Sequence, residues 1–283
     1  GGADLISEIK NIFNGKPLEA EIIKKEIEYI PAILNLYNEI LVNARDQKIR
    51  IDMIIAEKTD KKEECNEIPV KNIYVSFNRE SGEIKIKNDG SGFEVFKHDK
   101  YKDKNGKKIW SPELVLANLL TSSNYDKSNK ESGVVGGKNG YGSKLVNIFS
   151  KYFAVDTIDH KSFHRYRQEF KDNMTFIDKP KIGVCKKSKP YTEISYILDF
   201  ERFGIKGYSD DMINLMIKRV YDIAGTTGGL NVFIDGINIK VDGFQSYSKL
   251  YKPDKPLYLK IDDKWDIGRT NNPDIRIKKH FNN

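Results

Sequence analysis

Three short stretches carry residue types that could do chemistry together. The densest is Gly136-Gly137-Lys138-Asn139-Gly140-Tyr141-Gly142-Ser143-Lys144. Four glycines in seven residues exclude a packed strand or helix interior, where glycine costs order and fills no core. The residues that follow, with Leu145, Val146, Ile148 and Phe149 apolar, suit one face of a helix over 143–150. A glycine run feeding a helix offers free backbone N–H groups and the positive end of the helix dipole, and both attract phosphate. Lys138 and Lys144 bracket the run and add charge. The spacing is not that of a Walker P-loop, and no strand runs directly into it as a Rossmann fingerprint requires. A glycine-rich surface loop explains the run, taken alone, equally well.

The second stretch holds Glu39 and Asn43, four residues apart and therefore on one side of a helix. Beside them Ile33, Leu34, Leu36, Tyr37, Ile40 and Leu41 form a broad apolar surface. A carboxylate and an amide so placed are costly unless partnered, although the polar edge of an amphipathic helix is the simpler reading of the pair. The third is Asn88-Asp89-Gly90-Ser91-Gly92 at a strand's end. A polar side chain backed by two glycines lets a flat ligand lie close to the backbone.

These residues need elements to hold them. Residues 4 to 29 have helical apolar spacing, and Pro31 opens a further helix to about Lys48. Residues 56 to 69 are mostly charged and read as a surface insertion. Strands are expected over 72–77 and 83–87 with a turn at Arg79 to Gly82, then a lysine-rich loop over 94–110 and a short helix from Pro112 to about Leu120. Residues 122–142 lack an apolar period and read as a lid. Further strands follow over 152–158, 163–170, 192–198 and 230–234, with a Ser-Asp-Asp-capped helix over 209–224. A hairpin turns at Asp235-Gly236. Near Tyr251 a new segment begins, with Pro253 and Pro256.

Composition bounds the class. At 283 residues, 39% hydrophobic and 31% charged, the chain can build a real core. No run of about 18 apolar residues exists, so no membrane span is expected. Cys65 and Cys185 match no metal spacing, which points to a reducing compartment. The net charge of +7 permits an acidic partner such as DNA, but a solvated surface accounts for it nearly as well.

Read in order, the blocks Asn38-Glu39-Ile40-Leu41-Val42-Asn43-Ala44, Asn88 to Gly92, Leu119-Leu120-Thr121-Ser122-Ser123-Asn124-Tyr125-Asp126 and Gly136 to Phe149 resemble the ATPase domain of type IIA DNA topoisomerases. The resemblance is to the eukaryotic and large-virus branch, within the GHKL (Bergerat) superfamily, and covers roughly residues 30 to 250. It implies an α/β two-layer sandwich, with a mixed, mostly antiparallel sheet carrying helices on one face. It also implies residues 1–250 as the ATPase domain and 251–283 as the start of a truncated transducer domain.

By the same resemblance Glu39 is the general base, Asn43 the Mg²⁺ ligand and Asn88 the reader of the adenine amino group. Thr192 would lie behind the adenine, and Ser122, Ser123 and Asn124 near the ribose and phosphates. Gly137, Lys138, Asn139, Gly140, Tyr141, Gly142, Ser143 and Lys144 would wrap the phosphates. The implied cofactors are ATP and Mg²⁺. The implied partners are DNA in the full-length enzyme and a second copy of the chain on ATP binding, with no membrane. The compartment is the nucleus for a eukaryotic source, and a viral factory or the cytoplasm for a large DNA virus. Three departures from the family pattern stand out, the first being that residues 4 to 29 lack the family's usual Tyr-Ile-Gly-Ser-type stretch, which leaves its dimerising N-terminal strap without a counterpart. Lys138 replaces the usual arginine and loses its bidentate fork. The family's Gln-Thr-Lys lysine has no counterpart in residues 251–283, so slow or absent hydrolysis by this stretch is expected. The alternatives are another GHKL ATPase, either MutL-like or a chaperone, and a nucleotide-binding module without catalysis.

Overall fold

The structure, a computed structural model, describes residues 2–7, 20–103, 105–117, 141–251, 257–260, 265–269 and 276–280. The chain divides into two compact units, residues 35–207 and residues 1–34 with 208–283. In chain order the elements are β1 (Gly2–Ser7), β2 (Glu21–Glu26), α1 (Pro31–Asp60), β3 (Asn72–Asn78), β4 (Glu83–Asp89), β5 (Lys97–Lys102), β6 (Lys108–Trp110) and α2 (Ser111–Ala117). Then come α3 (Gly142–Ile148), β7 (Ser150–Ile158), β8 (His164–Lys171), β9 (Phe176–Ile177), β10 (Lys181–Val184) and β11 (Tyr191–Leu198). The last are α4 (Asp210–Thr226), β12 (Asn231–Ile234), β13 (Ile237–Asn238), α5 (Phe244–Lys249), β14 (Leu257–Lys260), β15 (Trp265–Arg269) and β16 (Arg276–His280).

In the unit of residues 35–207 the strands lie in the order β10-β8-β7-β11-β4-β3, with β9 also on β8. The pairings from β10 to β3 are antiparallel. Directly paired residues put their side chains on one face, so the register lines them up in rows. Phe77, Ile84, Tyr196, Phe153 and Phe170 form one row. Val75, Ile86, Ile194, Val155 and Gln168 form the next. Almost all of these are buried. Helix α1 covers this face, with Tyr37 set 6.0 Å from the Phe77 ring. Burying such a row stabilises the layer by roughly 1.5–3 kcal/mol for each large apolar side chain.

Local signals were sound where the chain turns tightly. Gly82 closes the β3–β4 turn at φ +72, and a side chain there would strike the Phe200 ring. Ser209 caps α4 by accepting the Met212 N–H at 3.2 Å. The β12–β13 turn has positive φ at both Asp235 and Gly236, the geometry that a two-residue hairpin turn demands.

Four expectations are corrected. Residues 4 to 29 are not helical where described: β1 and β2 pair antiparallel from Gly2↔Glu26 to Ser7↔Glu21. Long-range bonds outweigh the local period there, since Ile22 N–H donates to Leu250 O at 2.8 Å and Lys25 pairs with Asp211 at 2.7 Å. Helix α1 runs on through residues 56–60. Ion pairs at i, i+4 line its later turns, Lys48–Asp52 within it and Glu57–Lys61 at its end, both at 2.6 Å. The lysine-rich 94–110 loop contains the pair β5–β6. There Asp103 Oδ1 accepts the N–H groups of Asn105 and Lys107, each at 2.8 Å. Finally, α3 does not bury Leu145, which is 42% exposed, but buries Lys144, Val146 and Asn147.

In the second unit β1 lies along α4, whose buried residues include Met216, Ile217, Val220 and Tyr221. Helix α5 is fastened to α4 by Tyr247, which donates to Asp222 at 2.6 Å and covers Gly225. Strands β14, β15 and β16 form a separate three-stranded antiparallel sheet.

Candidate functional site

The third row of the sheet's covered face changes character. Ile73, Asn88, Thr192, Thr157 and Tyr166 follow one another across β3, β4, β11, β7 and β8. Asn88 thus occupies the position on β4 that Ile84 and Ile86 occupy further back, and it is buried like them. A buried amide must be satisfied or must serve a ligand. Its Nδ2 donates to Asp89 O at 3.0 Å, which leaves Oδ1 as the group's acceptor. Thr157, fully buried, contacts Tyr191 O at 2.8 Å and Thr192 Oγ1 at 2.9 Å. Gly92 lies flat against this pair: a side chain there would collide with Thr192 Oγ1 and crowd Thr157 Oγ1.

Asp89, one residue on, points to the other face of β4 and has a different task. Its Oδ1 accepts the N–H groups of Lys71 and Asn72 at 2.8 and 2.9 Å, and Oδ2 accepts from Asn72 Nδ2 at 2.5 Å. It ties down the segment before β3. Gly90, at φ +79, passes so close to the carbonyls of Ile68 and Pro69 that no side chain fits.

Helix α1 contributes a stripe. Glu39, Asn43 and Gln47 recur every fourth residue and so share a face over about 12 Å of axis. Glu39 and Asn43 are exposed. The Glu39 carboxyl reaches the backbone of Gly142 at the start of α3, where an added methyl group would overlap it. Its carboxyl is pushed above the usual carboxylate range, first by loss of hydration and then by the charge of Asp46. A carboxylate raised in this way is a better proton acceptor near neutral pH. At the far end of the stripe Gln47 Nε2 donates to Ser91 O at 2.6 Å, while its Oε1 accepts from Arg50 at 2.6 Å. The stripe therefore links the start of α3 to the Asn88–Gly92 turn.

Of the sequence-derived residues, Glu39 and Gly142 meet, and Asn88 and Thr192 pair across β4 and β11. Asn43 is one turn along from Glu39. Tyr141 and Ser143 lie half-buried at the entry of α3. Lys144 is almost wholly buried, and that burial pulls its ammonium pKa down. Ser122, Ser123, Asn124, Gly137, Lys138, Asn139 and Gly140 lie outside the described residues. One contributor, Gln47, was missed, and it was detectable by extending the Glu39–Asn43 spacing one more turn. Among the described residues no helix is long and apolar enough to cross a membrane. No cluster of three or more His, Cys, Asp and Glu able to hold a metal occurs among them either.

The mostly antiparallel sheet with helices on one face, and a polar row at its end, defines an α/β nucleotide-binding ATPase fold of the GHKL type, as solved structures bear out. The ATPase region of Saccharomyces cerevisiae topoisomerase II superposes with TM-score 0.78 at 33% identity, covering 95% of this chain and 63% of that one. The ATPase and transducer domains of DNA topoisomerase II from Balamuthia mandrillaris superpose with TM-score 0.75 at 30% identity, covering 94% and 62%. By sequence, the chain is 37% identical over 257 residues to the probable DNA topoisomerase 2 of Dictyostelium discoideum, covering 89% of this chain. It is 36% identical over 265 residues to DNA topoisomerase 2 of Acanthamoeba polyphaga mimivirus, covering 92%. No family model matches. The chain belongs to the DNA topoisomerase 2 family and corresponds to its ATPase region. It spans 15% and 19% of the length of those two relatives.

Proposed function

We propose that this chain binds ATP with Mg²⁺ and, within the complete enzyme, hydrolyses it to drive passage of one DNA duplex through another. The observation that carries the reading is the contact of Glu39 with the Gly142 backbone. It sets a proton acceptor against Gly142, the first residue of α3. Asn88 Oδ1 accepts a hydrogen bond from the adenine amino group, and Thr192, beside Thr157 and Gly92, lines the surface behind the ring. Gln47 and Glu39 end the stripe about 12 Å apart along the helix axis, so a ligand whose base sits by the Asn88–Gly92 turn extends toward Glu39. Residues 137–144, with Ser122, Ser123 and Asn124, surround the phosphates with N–H and side-chain donors.

Asn43 supplies Mg²⁺ with one neutral amide oxygen. Asn43 alone from the chain would fit such an ion, which seldom takes an all-protein cage. When bound, the ion would offset phosphate charge. Glu39 then orients a water in line with the terminal phosphorus and takes its proton, a task its raised carboxyl favours. Residues 1–250 serve as the ATPase domain and 251–283 as the start of the transducer. ATP binding brings two copies together as a clamp around DNA. The site of action is the nucleus for a cellular enzyme, and the viral factory or cytoplasm for a viral one.

The test is Glu39→Ala in the full-length enzyme. Hydrolysis should be lost while a non-hydrolysable ATP analogue with Mg²⁺ still raises the melting temperature of the 283-residue chain. Absence of any such thermal shift in the unmodified chain would end this reading.

A further inference from the structure

A second polar cluster supports the Asn88–Gly92 turn from below. Ser91 is fully buried and held from several sides. Its Oγ accepts the Ile68 N–H and its own N–H donates to Ile68 O, both at 2.8 Å, while its carbonyl takes the Gln47 bond. Glu67 directly precedes Ile68, the residue whose N–H and carbonyl both bond Ser91. Glu67 Oε2 in turn stands 3.2 Å from Nε2 of His160, whose side chain is only 3% exposed. His160 Nδ1 lies 3.9 Å from Asp159 Oδ1. Asp159 is itself engaged by the N–H groups of Val95 and Lys161 and by Ser162 Oγ. Lys161 is 3.7 Å from Glu67 Oε1 and also pairs with Glu94. Burial works to raise the Glu67 carboxyl, but the Ser91 hydroxyl, His160 and Lys161 outweigh it and hold it below the usual range.

A buried imidazole set against a carboxylate that is only 15% exposed is expensive unless the pair fixes something. What it adjoins, through the backbone of Ile68, is Ser91, the residue between Gly90 and Gly92. The turn has no slack to absorb a shift there. Gly90 is already against the carbonyls of Ile68 and Pro69, and Gly92 against Thr192 and Thr157. Displacing Ser91 must therefore move Gly92 on the threonine pair or move Asn88 in its row. We propose that the Glu67–His160 pair, acting through Ser91, is the positioning element that sets the site's preference for adenine over purines lacking the 6-amino group. This rests on Asn88 as the adenine reader. Glu67 and His160 are positioning residues and need touch no nucleotide.

The experiment is calorimetric titration of the 283-residue chain, in Mg²⁺, with a non-hydrolysable ATP analogue and with its inosine counterpart. An unmodified chain that binds both equally would refute the Asn88 reading, and this proposal with it. If the unmodified chain prefers adenine, Glu67→Gln and His160→Gln should each reduce that preference about fivefold, the worth of one misplaced hydrogen bond. The loss should fall on the adenine nucleotide alone. The double variant should lose no more than either single one, because both act along one path. Preference retained in Glu67→Gln, which keeps the side chain's size and so guards against a His160 variant that fails to fold, would overturn the proposal. Equal weakening of both nucleotides, or a lowered melting temperature with selectivity intact, would show a purely structural pair and overturn it too.

Discussion

Replacing Gly142 with Ala tests the placement of Glu39 more sharply than removing Glu39. Gly142 opens α3, and helix propensity favours Ala over Gly by up to about 1 kcal/mol, less in a first turn. Stability should therefore hold or rise slightly. The new methyl group, however, overlaps Glu39 Oε2 and stands 3.0 Å from its Cγ. Ordinary contact between such atoms needs about 3.5–4.0 Å. The flexible glutamate gives way before the backbone does, and its carboxyl moves by about 1 Å or more. A displacement of that size at a reacting centre costs about a hundredfold in rate. The N–H of residue 142 is retained, so nucleotide affinity should barely change. The assay pairs calorimetric binding of a non-hydrolysable ATP analogue to the 283-residue chain with steady-state hydrolysis by the full-length enzyme. Unchanged turnover, with affinity and melting temperature also unchanged, would refute the argument that Glu39 works from beside Gly142.

Other outcomes follow from the same geometry. The folded-state pKa of Glu39 lies above its unfolded value, so ionising it costs stability above the folded pKa. That cost disappears as pH falls below about 4.3. Glu39→Gln should thus stabilise the chain at pH 7.5 and not at pH 4, by less than about 1 kcal/mol because the group is exposed, as denaturant titration at the two pH values will show. Asp89→Ala removes the acceptor of two backbone N–H groups. It should cost about 2 kcal/mol in urea unfolding and weaken ATP binding through the adjacent Asn88. Ser209→Ala removes the α4 cap and should cost about 1 kcal/mol with no change in nucleotide affinity, which calorimetry checks.

Much of the site was legible because its signals are local. The i, i+4 spacing of Glu39 and Asn43 needs only a helix, and Pro31 starts one. Ser209 and Asp235-Gly236 mark a helix start and a hairpin through backbone rules that operate within four residues. The alternation in β3 and β4 placed Asn88 at a strand's end. Residue types alone could not show which side of a strand or helix turns inward. Asn88 enters the covered face and Asp89 leaves it because the register puts Asn88 opposite Thr192.

The amino-acid sequence by itself determined the helices, turns and strands whose capping and alternation are set by near neighbours, together with the residue types at the site. Tertiary structure alone decided that residues 2–7 and 21–26 are strands, that α3 buries Lys144 and exposes Leu145, and that Glu67 and His160 meet beside the bonds joining Ile68 to Ser91. The physical reason is range. Propensity is worth a few tenths of a kcal/mol per residue and reads only adjacent positions, whereas pairing and burial are worth more and join residues far apart in the chain.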